Sequence, residues 1–189
     1  MLKVAITGNI ASGKSQVENI LKENFCVYDA DYLAHEVLDT IDNFYGYDVF
    51  TNGKIDRKKL GAIVFSNSIL KQKLENLIHP QVKKKILDIF ENKTLEKVVF
   101  VSVPLLFEAG FNGLFDKIIF VQADDNLRLE RLMKRNSLSK TEALLRLNSQ
   151  MPQDEKIKKS DYIISNNKDL ASLKVQVFEM INFLKLEKP

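Results

Sequence analysis

Residues Gly8-Asn9-Ile10-Ala11-Ser12-Gly13-Lys14-Ser15 follow the apolar run Leu2 to Thr7 and lead into an amphipathic segment. The spacing G-x-x-x-x-G-K-[ST] between a strand and a helix predicts a loop whose N–H groups close around an anion. Gly8 and Gly13 lack a Cβ, so the backbone can turn tightly and approach phosphate oxygens. Lys14 is placed to reach β- and γ-phosphates, Ser15 to put its hydroxyl on Mg²⁺, and the helix N-terminus adds partial positive charge. Nucleotide binding is therefore the premise for reading the rest of the chain.

The 189 residues, 45% hydrophobic and 28% charged, are enough for one core, so one compact domain with insertions is expected. A net charge of +3 suits an anionic substrate, while no basic stripe interleaved with aromatics points to a nucleic-acid partner. Cys26 is the sole cysteine, which excludes an internal disulfide and fits a reduced compartment. The N-terminus runs straight into a buried-type strand without a signal pattern, and no stretch is long enough to span a membrane. We expect a cytoplasmic protein, either a monomer or a weak homo-oligomer.

Taken in order, strands are expected at 2–7, 25–28, 98–103, 117–121 and 162–164, with helices at about 13–23, from Ala30 onward, and at 169–185. The closing helix is expected to present Leu170, Leu173, Val177, Ile181 and Leu184 on one side. Residues 42–91 no longer alternate with strands and read as a helical insertion: helices at 43–50, 56–65 and 67–78, a turn at Asn52-Gly53, and a further helix from Pro80 to about 91. Residues 125–159 are charged and helical, with Arg128, Arg131 and Arg135 on one face. Asn136 to Leu138 is the hinge, and Ser139 to Glu142 a capping box. Such a basic hairpin is a natural lid over a triphosphate. The expected fold class is α/β, a three-layer P-loop NTPase fold with a five-stranded parallel sheet. Its parts are a nucleotide-binding core (1–41, 92–124, 160–189), an acceptor subdomain (42–91) and a lid (125–159).

Two classes compete for such a loop. A GTPase switch needs an [NT]-K-x-D guanine reader, but in Asn167-Lys168-Asp169-Leu170 the acid comes one position early and Leu170 stands where the carboxylate belongs. A kinase needs an acceptor pocket, a group for the acceptor hydroxyl and cations over the phosphates, and each has a candidate. Asp29 and Asp31 end the second strand, where open α/β sheets hold ligands. Asp31, at the start of a helix, is the preferred partner of the hydroxyl, while N-capping is the competing role for both. His79, before Pro80, and His35 have no second ligand at metal spacing, so no protein-held zinc site is expected and Mg²⁺ is expected to arrive with ATP.

The order of Thr7 to Ser15, Asp29-Ala30-Asp31, Leu77-Ile78-His79-Pro80, Val103-Pro104-Leu105-Leu106-Phe107-Glu108, Arg131 to Arg135 and Gln150-Met151-Pro152 resembles the dephospho-coenzyme A kinases. The likeness runs from Leu2 to about Asn166. It implies transfer of the ATP γ-phosphoryl group to the ribose 3′-hydroxyl of dephospho-coenzyme A, giving coenzyme A and ADP. Carried over by position, Gly8 and residues Ala11, Ser12, Gly13, Lys14, Ser15 and Gln16 hold the ATP phosphates. Asp31 orients or deprotonates the hydroxyl, His79 and Leu106 lie on the acceptor side, and Arg135 and Arg146 are lid contacts to phosphate, Arg135 with a catalytic role. Five positions depart from the common pattern: Asn9 and Ala11 replace glycines, Gln16 stands for Thr, Ser102 for an Asp two before the Pro, and Ser165 for an Asp before Asn166. The alternatives are another small-molecule kinase, for a nucleoside monophosphate or a sugar acid, and a nucleotide-dependent binding protein without turnover.

Lys14→Ala should lower turnover by orders of magnitude with the fold intact, because it removes charge stabilisation and little packing. Parental turnover of a folded Lys14→Ala protein would contradict the phosphate-cradle reading.

Overall fold

Five apolar runs form one sheet in the computed structural model, which describes residues 1–41, 44, 46, 48–52 and 54–186. The strands are β1 (Leu2–Thr7), β2 (Cys26–Asp29), β5 (Val98–Ser102), β6 (Lys117–Gln122) and β7 (Tyr162–Ser165), in the order β2-β5-β1-β6-β7. Every pairing is parallel, with Val4 opposite Phe100 on one side and Lys117 on the other. Successive residues Val4, Ala5 and Ile6 are all fully buried, as are Val99 and Val101 around nearly buried Phe100, so both faces are covered. This is the expected three-layer α/β arrangement. The central strand β1 has chain-distant neighbours on both sides, and at such a switch point ligands gather beyond the carboxyl ends of the strands.

The chain divides into two compact units, residues 1–29 with 92–189, and residues 30–91. The second unit starts at Ala30, where the sequence pattern placed a boundary at 42, and the basic segment 125–159 belongs to the first. In the first unit, α1 (Lys14–Lys22) and α8 (Leu170–Leu186) pack on one face of the sheet, joining Val17, Leu21, Leu173 and Val177 to Ile6 and Phe100. Met180 is fully buried on α8, whereas Leu170 is 52% exposed, so the buried stripe differs from the expected one at that residue.

The helices of the basic segment are α5 (Asp125–Asn136), α6 (Lys140–Asn148) and α7 (Gln153–Ile157), three rather than two. Helix α5 stops at Ser137, which takes a left-handed φ of 51°, and α6 starts with the expected capping box between Ser139 and Glu142.

The second unit holds α2 (Ala30–Leu38), the two-residue strands β3 (Phe50–Thr51) and β4 (Lys54–Ile55) paired antiparallel, α3 (Arg57–Ser66) and α4 (Ser68–Asn92). The expected helix at 43–50 is not formed where it is described: Asp48 and Val49 are irregular and Phe50 is extended, while residues 42, 43, 45 and 47 lie outside the described residues. Asn52 turns with a φ of 53°, and Gly53 also lies outside them. Helix α3 is capped by Asp56, whose side chain accepts from Lys58 N at 2.9 Å and Lys59 N at 3.2 Å.

Pro80 does not begin a helix; it lies inside α4. A proline there withholds one N–H from the ladder and costs about 3 kcal/mol in an isolated helix. The stripe Ile78, Val82, Ile86 and Phe90, all buried at four-residue spacing, carries the helix through that defect. Lys85 pairs with Glu36 at 2.9 Å, tying α4 to α2.

Phe100, 1% exposed and edge-on to Phe25 with ring centroids 5.4 Å apart, anchors the core of the first unit. Phe100→Ala should cost about 3–5 kcal/mol in a urea titration, and a loss under about 1 kcal/mol would show that the ring is not a core anchor.

Candidate active site

Strand β1 delivers the chain to Gly8 at the carboxyl edge of the sheet, and α1 begins only six residues later. Gly8 is needed for space: a Cβ there would lie 2.7 Å from both the Val121 carbonyl oxygen and Ser12 Oγ. Gly13 is needed for space and for conformation, since its φ is 89° and a Cβ would lie 1.9 Å from Asn166 Nδ2. Ala11 stands where the motif tolerates any residue, yet its φ is 64°, a left-handed value that a Cβ makes costly. The loop thus holds strain at its crest.

Its shape is enforced from distant parts of the chain. Asn166, 3% exposed, donates from Nδ2 to Ser12 O at 2.8 Å and to Gln16 Oε1 at 3.1 Å. Gln150 Oε1 accepts from Ile10 N at 2.7 Å, and Asn9 Nδ2 donates to Met151 O at 2.9 Å. Arg128, also 3% exposed, donates from Nε to Ile10 O at 3.0 Å and pairs with Asp125 at 2.7 Å. Burial weighs against the Arg128 charge and lowers its pKa, and Asp125 offsets part of that. Arg131 reaches Asn166 O at 3.0 Å. Ile10 and Ala11 also pack on Leu132, Ala143 and Leu147 of α5 and α6.

These bonds use the Ile10 and Ser12 carbonyls, the Ile10 N–H and the Asn9 side chain, and leave four other loop amides alone. Among the described residues, the N–H groups of Ala11, Gly13, Lys14 and Ser15 make no hydrogen bond to the protein, as expected for a helix start without a capping side chain. Ser12 Oγ is buried and has no hydrogen-bond partner. Four amides, a buried hydroxyl and the α1 dipole are complementary to a polyphosphate.

Lys14 lies within this bowl's wall. Its Nζ is 2.6 Å from Glu18 Oε1 and also donates to Ser102 Oγ, and Ser102 Oγ donates to the same Glu18 oxygen at 2.6 Å. Glu18 is 5% exposed; burial pushes its carboxyl up, but the bonds and charge of Lys14, with Ser102, outweigh that and hold it below the ordinary carboxylate range. The carboxylate that Ser102 fails to supply from β5 is thus present on α1. Sequence reading missed Glu18, although its position four residues after Lys14 places both on one helix face.

The other expected residues fall in four groups. Ser15 and Gln16 lie in the first turn of α1 beside Lys14. Arg135, bonded to its neighbour Asn136 at 2.9 Å, and Arg146, on α6, are both exposed, in contrast to Arg128 and Arg131, which serve the loop. Leu106 is fully buried and its carbonyl accepts from Phe111 N at 2.9 Å, so its side chain is packing, whereas neighbouring Leu105 is 43% exposed. Asp29 ends β2 in the first unit. In the second unit Asp31 is exposed in the first turn of α2, and His79 is half-buried within α4. Among the described residues no cluster of three or more His, Cys, Asp or Glu is arranged to hold a metal, and no helix is long and apolar enough to cross a membrane.

Residues 2–172 match the family model described as dephospho-CoA kinase. A Listeria innocua dephospho-CoA kinase is 40% identical over 189 residues, covering 94% of each chain. Among solved structures, a dephospho-CoA kinase from Campylobacter jejuni superposes with a TM-score of 0.74 at 35% identity, covering 95% of each chain. A Thermus thermophilus protein superposes with a TM-score of 0.86 at 31% identity over 99% of this chain and 98% of its own.

Loop geometry sets opposite expectations for two small substitutions. Ala11→Gly should leave stability unchanged or raise it by up to about 1 kcal/mol, by relieving the left-handed residue. Gly13→Ala should destabilise by more than about 2 kcal/mol, because it adds the same strain and a collision with Asn166. Thermal unfolding of both variants checks this; a Gly13→Ala protein as stable as the parent would contradict the loop geometry.

Proposed function

The chain belongs to the dephospho-CoA kinase family, and from that premise we propose how its residues divide the work. It is an ATP-dependent kinase that transfers the γ-phosphoryl group to the ribose 3′-hydroxyl of dephospho-CoA, giving CoA and ADP in the last step of CoA synthesis.

The observation that carries the proposal is the set of unpaired loop amides beside Lys14 at the carboxyl edge of a parallel sheet. In our reading, Gly8 and residues Ala11 to Gln16 hold the ATP phosphates and Lys14 meets the β- and γ-oxygens, where charge shifts as the bond breaks. The donor set suits Mg²⁺, which keeps most of its own waters and needs few protein ligands; Ser15 Oγ would hold it together with phosphate oxygens, and it would supply charge neutralisation. Asp31 orients the acceptor hydroxyl and takes its proton as the oxygen attacks phosphorus. Its support is its place in the chain, two residues beyond β2, and its exposure.

Residues 30–91, with His79, form the acceptor-binding unit in this proposal, and 125–159 the lid, with Arg135 and Arg146 as its exposed arginines. We further take the enzyme to work in the cytoplasm as a monomer or weak homo-oligomer.

ADP release should depend on dephospho-CoA and stay at background with nucleoside monophosphates or sugar acids as acceptors. Asp31→Asn should lower kcat by about 100-fold or more, with the KM for ATP within about threefold of the parent. An unchanged kcat would move the proton-accepting role to Asp29 or to solvent.

A further inference from the structure

Glu18 is a buried carboxylate on a helix face otherwise occupied by Val17, Ile20 and Leu21, and packing does not require an acid there. A charge taken out of water is costly unless it is paired and bonded. Glu18 is both, and its partner is the lysine of the phosphate loop, at 2.6 Å. The side chains of Lys14 and Glu18 are 14% and 7% exposed, so the contact is largely shielded from solvent.

The hydrogens of this triad have one consistent assignment. Ser102 gives its only proton to Glu18 and can therefore only accept from Lys14. Lys14 spends two of its three N–H donors on Glu18 and Ser102, which leaves one for a phosphate oxygen. A lysine on a flexible four-carbon stem is thereby fixed in direction as well as in charge. The two fixed points come from different elements, Glu18 from α1 and Ser102 from the end of β5, so the ammonium is triangulated against the scaffold.

We propose that Glu18 is a positioning residue for phosphoryl transfer, its carboxylate braced by Ser102 so that the Lys14 ammonium is held in the orientation that meets the transferring group. This rests on the reading of the loop as a phosphate cradle. The carboxylate also lies close enough to oppose the negative charge of bound ATP, so its removal does not weaken nucleotide binding in proportion to catalysis. What is lost is the pre-set direction of Lys14, which matters most when charge is redistributed in the transition state.

Steady-state kinetics on the full chain test this with Glu18→Gln, Glu18→Ala, the double variant Glu18→Ala/Ser102→Asp, and Lys14→Ala as reference. Glu18→Gln keeps the shape and loses the charge; its kcat should fall about 10- to 100-fold while the KM for ATP stays within about threefold. Ser102 already touches Lys14, so an aspartate there returns a carboxylate to the same ammonium. The double variant should exceed Glu18→Ala in kcat by at least about tenfold. A packing role for Glu18 would give no such recovery. Parental kcat in Glu18→Gln, or no recovery in a double variant that still unfolds cooperatively, overturns the proposal while an inactive Lys14→Ala leaves the cradle standing. Where the double variant does not fold, Glu18→Gln decides alone. Parental turnover in Lys14→Ala removes the cradle and this inference together.

Discussion

A helix that starts directly after a buried strand leaves its first N–H groups without acceptors, and everything else at this site follows from where those donors point. With Gly13 at the N-cap making no side-chain bond, the amides of Ala11, Gly13, Lys14 and Ser15 depend on a ligand or solvent for partners. A polyphosphate satisfies them and the helix dipole at once. The parallel sheet puts this helix start at the carboxyl edge of its central strand, where no neighbouring strand can cover it. Binding capacity is thus a by-product of topology, and the loop sequence refines it.

The refinement is mostly restraint. A six-residue turn with a left-handed alanine would relax if left alone. Here Asn166, Gln150, Met151 and Arg128 bond its outward carbonyls, amide and side chain, and α5 and α6 pack on its crest. The same helices carry Arg135 and Arg146, and the arginines of this basic segment divide by exposure: Arg128 and Arg131 bond the loop and its Asn166 brace, while Arg135 and Arg146 face solvent. Glu108 extends the bracing, accepting from Met151 N at 3.1 Å and forming an ion pair, at 2.7 Å, with Nζ of fully buried Lys156.

What could be read from the sequence was local. The glycine loop, the apolar runs of β1, β5 and β6, and the Ser139–Glu142 capping box each depend on residues a few positions apart, and each formed where the pattern placed it. What could not be read depends on partners far along the chain. Arg128 looked like one more lid cation because its acceptor, Ile10, is 118 residues away. Asn166 likewise shows its role only once β7 brings it to Ser12. Pro80 suggested a helix start, but a buried stripe running through it outweighed the lost hydrogen bond. The β3–β4 hairpin has two residues per strand, too few to show an alternating pattern. Glu18 is the exception: its relation to Lys14 was written in the spacing, and it was overlooked because a helical Glu–Lys pair is ordinarily a solvent-exposed one.

A crystal structure of the protein with Mg²⁺ and a non-hydrolysable ATP analogue tests the central claim most directly. The β- and γ-phosphate oxygens should lie at hydrogen-bonding distance, about 2.7–3.2 Å, from the N–H groups of Ala11, Gly13, Lys14 and Ser15, with Lys14 Nζ on the same oxygens. A triphosphate bound elsewhere, or those amides pointing away from it, would contradict the account.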